Sequence, residues 1–265
     1  MAAQGAVAKN TPAHPESDAN SRFTAILRYA PIAATLLVFV AATGDAAPGD
    51  PLLGRIVQHT PLGWMFADVA VFLAFPAVLF IVWCAGAAAA VYTKNWSLAA
   101  AALLALIALG VNPVLKEAFG RPRPGAADLI IRRAASGYGF PSGHTSSATL
   151  MYGYAAVSLS RVTARSVTGM LVTASGTAIV MIAFERVYDG VHWPSDVFGG
   201  FVTGALLLTG CVTAGNLIAR RLPRRHPVST PTAQFIAVAA QHSLVHRRHA
   251  VHTRTFSATV ARRHR

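Results

Sequence analysis

Three short polar blocks hold the residues of this chain that could do chemistry: Lys116 to Arg123, Phe140-Pro141-Ser142-Gly143-His144-Thr145, and Arg186 to Asp196. In the middle block, Ser142 and Gly143 put free backbone N–H groups at the start of a predicted helix. The amide dipoles there favour an anion, and His144 can exchange a proton beside it. A phosphate suits such a place, although the tripeptide taken alone also reads as ordinary helix capping. Lys116, Arg123 and Arg186 would neutralise a phosphate and the charge that develops as it is transferred, the arginines offering forked donors to its oxygens. In His192-Trp193-Pro194-Ser195-Asp196, Pro194 suits the first turn of a helix, and the spacing lets the Asp196 carboxylate fold back toward the imidazole. An aspartate against one ring nitrogen fixes the tautomer and leaves the other free to attack phosphorus, while His144 could protonate the leaving alkoxide.

The blocks lie in the gaps of a very apolar chain. Of its 265 residues 54% are hydrophobic and only 12% charged, and the mean hydropathy is +0.46. These values describe a polytopic membrane protein rather than a soluble globule. The formal net charge of +13 comes from scarce acids as much as from abundant bases. Bases placed between apolar runs suit anionic lipid head groups and phosphate, and no nucleic-acid surface is expected. Cys84 and Cys211 fall inside apolar runs and read as packing residues, neither a disulfide nor a metal pair.

Six apolar runs are expected to span a membrane: about 23–43, 64–92, 96–115, 145–159, 167–184 and a last one ending near 219. The first follows a polar stretch long for a signal peptide, so an uncleaved span is preferred. Residues 1–22 are expected to be a disordered tail, 23–219 the membrane domain and 220–265 a basic, disordered tail. Most of the histidines lie in that last tail at irregular spacing, which favours lipid contact over metal binding. Residues 44–63 read as a loop, and Asp68, near the start of the second run, reads as an interfacial carboxylate more readily than a functional one. With six spans, the loops after the third and fifth runs emerge on one side, so the polar blocks can meet. A modest excess of Lys and Arg on the other side, clearer if some loop bases serve chemistry, places both termini in the cytoplasm and the loops outside. The expected fold is all-α, a polytopic membrane bundle of about six transmembrane helices.

Lys116-(six residues)-Arg123-Pro124, Pro141-Ser142-Gly143-His144 and Arg186-(five residues)-His192-(three residues)-Asp196 together resemble the signature of the type 2 phosphatidic acid phosphatase superfamily, over about residues 64–219 in layout. The resemblance implies a core like the fold shared with vanadium-dependent haloperoxidases, whose soluble chains differ from this one. It implies His192 as a nucleophile that becomes a phosphohistidine, Asp196 as its orienter and His144 as the general acid. Lys116, Arg123, Arg186, Ser142 and Gly143 would hold the phosphate, with no metal and no cofactor. One position departs: Glu185 stands where the family usually has serine, and it is expected to turn away from the phosphate or pair with a nearby arginine. Arg121 is the alternative phosphate ligand in a register shifted by two, and family spacing favours Arg123.

The implied activity is a metal-independent membrane phosphatase acting on a lipid phosphate or polyprenyl diphosphate at the outer face of a bacterial-type cytoplasmic membrane. Phosphatidic acid, phosphatidylglycerol phosphate and undecaprenyl diphosphate are candidate substrates, and membrane lipids are the other expected partners. Two alternatives remain open: a phosphotransferase of the same superfamily that passes the phosphoryl group to an acceptor such as lipid A, and a transport or lipid-binding protein whose basic loops hold head groups without turnover.

Overall fold

The computed structural model describes residues 44–221, together with Tyr29, Ile32 and Ala33. The expected N-terminal tail, nearly all of the first apolar run and the C-terminal tail beyond residue 221 lie outside the described residues. Among the described residues every regular element is a helix: α1 Asp50–Gln58, α2 Gly63–Leu73, α3 Pro76–Tyr92, α4 Trp96–Ala108, α5 Val111–Phe119, α6 Gly143–Leu159, α7 Arg165–Tyr188 and α8 Pro194–Arg221.

Among the described residues, three helical stretches are long and apolar enough to span: Trp96–Phe119, made of α4 and α5, then α7 and α8. A fourth is possible only if α1 and α2, bent by 102° to one another, count as one broken span. The second apolar run breaks at Phe75, whose extended backbone (φ −61°, ψ 133°) precedes Pro76. Proline crowds the residue before it out of helical geometry and opens a new helix without needing an N–H donor. The fourth run forms a helix of 17 residues, α6, which is heavily buried. Residues 44–63, expected as a loop, contain α1, which starts after Gly49 in a left-handed conformation (φ 90°) with Pro51 in its first turn. Asp68 is exposed on α2.

Helix α6 is the axis of the fold and packs against α3, α7 and α8. Its small and apolar residues Ala148, Leu150, Met151, Tyr154 and Ala155 are buried, and the Tyr154 hydroxyl donates to the Leu98 carbonyl of α4 at 3.1 Å. The approach of α8 depends on glycine. A Cβ at Gly200 would lie 2.5 Å from the Ser142 carbonyl oxygen, and one at Gly204 would lie 2.6 Å from that of Ser146. Small residues four apart on one helix face let two backbones meet, here at the head of α6. Large apolar side chains such as Ile81, Ile107, Met170, Val180 and Phe198 are exposed on the outside, as the surface of an integral membrane protein requires.

Two expected loop boundaries move inward. Lys116 belongs to the last turn of α5, which ends at the left-handed Gly120 (φ 61°), and Arg186 belongs to the last turn of α7. A cation at a helix C-terminus is favoured by the exposed carbonyl dipoles. Both bases are therefore carried on helices, with less freedom than loop residues would have.

Candidate active site

Backbone bonds tie the three polar blocks together. The Gly139 N–H donates to the Arg121 carbonyl at 2.7 Å, and the Ser142 N–H donates to the Asp196 carbonyl at 2.9 Å. Gly139 is confined as well, since a Cβ there would lie 2.8 Å from Asp196 Oδ2. Helix α6 begins immediately after Ser142 with no side chain capping it. The Ser142 hydroxyl instead accepts from Thr145 Oγ1 at 3.1 Å, so the first N–H groups of the helix keep their donors for another partner.

A cavity of about 520 Å³ opens beside that helix start. Lys116, Arg123, Arg186, Gly143, His144 and His192 line one part of it, and apolar residues including Pro76, Leu79, Phe80, Leu106, Leu109 and Met151 line the rest. The structure thus brings six of the eight sequence-predicted residues to one surface. Ser142 and Asp196 are fully buried behind it. Asp196 sits in the first turn of α8. Its Oδ2 accepts from the Trp193 N–H at 3.0 Å and lies 3.3 Å from His192 Nδ1. With the ring proton on Nδ1, shared with that carboxylate, His192 Nε2 carries the lone pair and accepts from Arg123 Nη1 at 3.2 Å. The tautomer follows from these two contacts.

Cations face the cavity without carboxylate neutralisation from two of the three bases. The Lys116 ammonium donates to the Tyr138 carbonyl at 2.8 Å. Arg123 donates to the Val191 carbonyl at 2.6 Å and the Gly137 carbonyl at 3.0 Å. Arg186 alone has an acid, its neighbour Glu185, whose two carboxylate oxygens accept from the guanidinium. Glu185 is buried and does not line the cavity.

Both histidines are held neutral. Burial lowers the His192 pKa to about 4; Asp196 opposes the shift, and Arg123 and Lys116 add to it. His144 is exposed and lines the cavity. Partial burial first, then Arg186, His192, Lys116 and Arg123, lowers its pKa to about 4. An anion in the cavity would offset the cations and draw a proton onto His144.

Sequence reasoning missed the support behind these groups. Arg121, the alternative phosphate ligand, does not line the cavity. It is 2% exposed and bridges Asp196 Oδ1 and Asp50 Oδ2, each at 3.0 Å. Asp50 Oδ1 also accepts from the Ser195 N–H at 2.9 Å, and its Oδ2 accepts from the Ser195 hydroxyl at 2.5 Å. No motif marks Asp50; the one signal was an acid just ahead of Pro51 in a segment rich in turn residues. Asn112 was missed too. It lines the cavity one helical turn before Lys116, and the sequence offered only its spacing from that lysine.

Residues 96–218 match the family model described as the PAP2 superfamily. Phosphatidylglycerophosphatase B of Bacillus subtilis (strain 168) is 36% identical over 128 residues, which are 46% of this chain and 60% of that protein, so the match spans less than two thirds of this curated relative. The crystal structure of the first transmembrane PAP2 type phosphatidylglycerolphosphate phosphatase from Bacillus subtilis is similar with a TM-score of 0.57 at 25% identity, over 75% of this chain and 100% of that one.

Proposed function

We propose that this chain, whose residues 96–218 match the PAP2 superfamily model, is a membrane phosphatase that removes the terminal phosphate from a lipid phosphate or polyprenyl diphosphate through a phosphohistidine. The observation that carries the reading is one cavity in which Lys116, Arg123, Arg186, Gly143, His144 and His192 meet an apolar wall. The charged part suits a phosphoryl group and the apolar part suits a tail. The names of the relatives make phosphatidylglycerol phosphate a leading candidate among the glycerolipid phosphates.

The reaction proceeds in two balanced steps. His192 Nε2 forms a bond to phosphorus while the bond from phosphorus to the leaving oxygen breaks, and His144 gives that oxygen its proton. Asp196 holds Nδ1–H and stabilises the charge gained by the ring. Water then attacks phosphorus, His144 takes its proton, the N–P bond breaks and inorganic phosphate leaves. Lys116, Arg123, Arg186 and the N–H groups at the head of α6 stabilise the equatorial oxygens in both transition states. His144 must be protonated for the first step, and the bound phosphate supplies the negative potential that raises its pKa from about 4. The proposal places the cavity at the outer face of a bacterial-type cytoplasmic membrane, with both termini inside.

The deciding experiment is phosphate release from short-chain phosphatidic acid, phosphatidylglycerol phosphate and farnesyl diphosphate by purified protein in detergent. His192→Ala is expected to lower it by at least about 10³-fold with an unchanged melting profile, and acid-labile, hydroxylamine-sensitive phosphate on the wild-type protein is expected after rapid quenching. Equal release by variant and wild type would remove the catalytic reading.

A further inference from the structure

Asn112 is, with Ser147, one of two polar lining residues of the cavity that the proposed reaction does not use. It is 5% exposed, it is among the residues that line the cavity, and its Nδ2 has no hydrogen-bond partner among the described residues. A buried amide donor left without an acceptor is unfavourable, and native proteins keep few of them without a reason. Its position indicates what it waits for. Along the span formed by α4 and α5, Leu106, Leu109, Asn112, Pro113 and Lys116 all line the cavity, because steps of three or four residues stay on one helix face. Lys116 lies one turn, about 6 Å along the axis, to the charged side of Asn112. Leu106 and Leu109 lie to the apolar side. Asn112 therefore marks the level at which the wall changes from phosphate-binding to tail-binding. Across from it stands the head of α6, where a Cβ on Gly143 would come 3.1 Å from Asn112 Oδ1. The next residue is His144, the group whose proton goes to the leaving oxygen.

We infer that Asn112 is a specificity-determining residue, donating from Nδ2 to an acceptor oxygen in the leaving group just past the oxygen that departs. The inference rests on the phosphatase reading of this cavity. A neutral amide adds little to a phosphoryl group already beside three cations, and it suits an oxygen that those cations do not reach. Such an oxygen is present in a glycerolipid, where an ester or hydroxyl follows within two carbons, and in a diphosphate, where the second phosphate follows directly. A plain alkyl monophosphate has none. The residue would thus favour lipids with a polar backbone next to the scissile linkage.

The test compares kcat/KM for short-chain phosphatidic acid with that for dodecyl phosphate, in wild type, Asn112→Ala and Asn112→Leu, with product inhibition by inorganic phosphate measured alongside. The expected result is a preference for phosphatidic acid that falls about tenfold in both variants, the loss of one buried donor to an acceptor, with phosphate inhibition unchanged. An unchanged preference, or an equal loss on both substrates, would overturn the inference while leaving the phosphatase reading intact. Loss of phosphate inhibition in both variants would make Asn112 a packing residue and would also overturn it. A wild type inert toward both lipids removes the phosphatase reading and this inference with it.

Discussion

The buried network around Arg121 and the cavity cluster around Arg123 are neighbours built from the same kind of side chain, two residues apart in one Arg-Pro-Arg-Pro segment. Arg121 meets two carboxylates, Asp50 and Asp196, and also donates to the Gly44 carbonyl at 3.1 Å and the Ser195 hydroxyl at 2.8 Å. Its charge is neutralised and its donors are in use. Arg123 is held by carbonyl oxygens and by His192 Nε2, and none of its hydrogen bonds among the described residues goes to a carboxylate. A cation matched by fixed carboxylates becomes framework, whereas one oriented by neutral carbonyls keeps its charge for an incoming anion. The framework arginine would still serve the proposed reaction, because it holds the oxygen of Asp196 that does not face His192.

The strongest way to break the comparison is to empty the framework. Arg121→Ala leaves Asp50 and Asp196 buried without their cation, and breaking such a pair costs about 3–5 kcal/mol. The expected outcome is a large fall in melting temperature in detergent, with activity lost alongside. A variant that melts like wild type would mean the network is not framework at all.

Removing the neighbour should do the reverse. Arg123→Ala is expected to lower kcat/KM by about 10²–10³-fold, the range for deleting one donor to a developing oxyanion, while the melting temperature stays close to wild type. Steady-state kinetics beside a melting curve would check both halves, and a variant that is active but unstable would reverse the assignment of the two arginines.

A smaller effect sharpens the electrostatic side. Because the His144 pKa is lowered to about 4, binding of an anion that raises it must be accompanied by uptake of a proton on His144. Affinity for a tetrahedral dianion such as tungstate is therefore expected to weaken as pH rises between about pH 5.5 and 7.5, by at most about tenfold per unit for one proton. Inhibition constants across that range measure it. A constant that does not move with pH would mean His144 gains no proton on binding. The unfolded chain binds protons that buried neutral His192 refuses, so the protein loses stability as pH falls from the ordinary histidine value toward about 4.

The eight candidate site residues could be picked out because each block is local. His192 and Asp196 are four residues apart across a helix start, and Ser142, Gly143 and His144 are consecutive. Such pairings need only helical geometry, and the type of each side chain states its chemistry. The all-helical class was legible from composition and from the length of the apolar runs. The division of the second run was not, because Pro76 interrupts an apolar stretch that hydropathy alone reads as continuous, nor was the depth at which α6 buries its residues against other helices.

By itself, then, the sequence determined a helical membrane protein, its eight candidate site residues and the anionic character of what they would bind. Only the tertiary structure decided which arginine of Arg-Pro-Arg-Pro faces the cavity, that Asp50 stands behind Asp196, and that Asn112 sits at the border between charged and apolar walls. The physical reason is range. Arg121 finds its carboxylates 71 and 75 residues away, and no periodicity within a segment encodes which distant partner a charge will meet when helices pack.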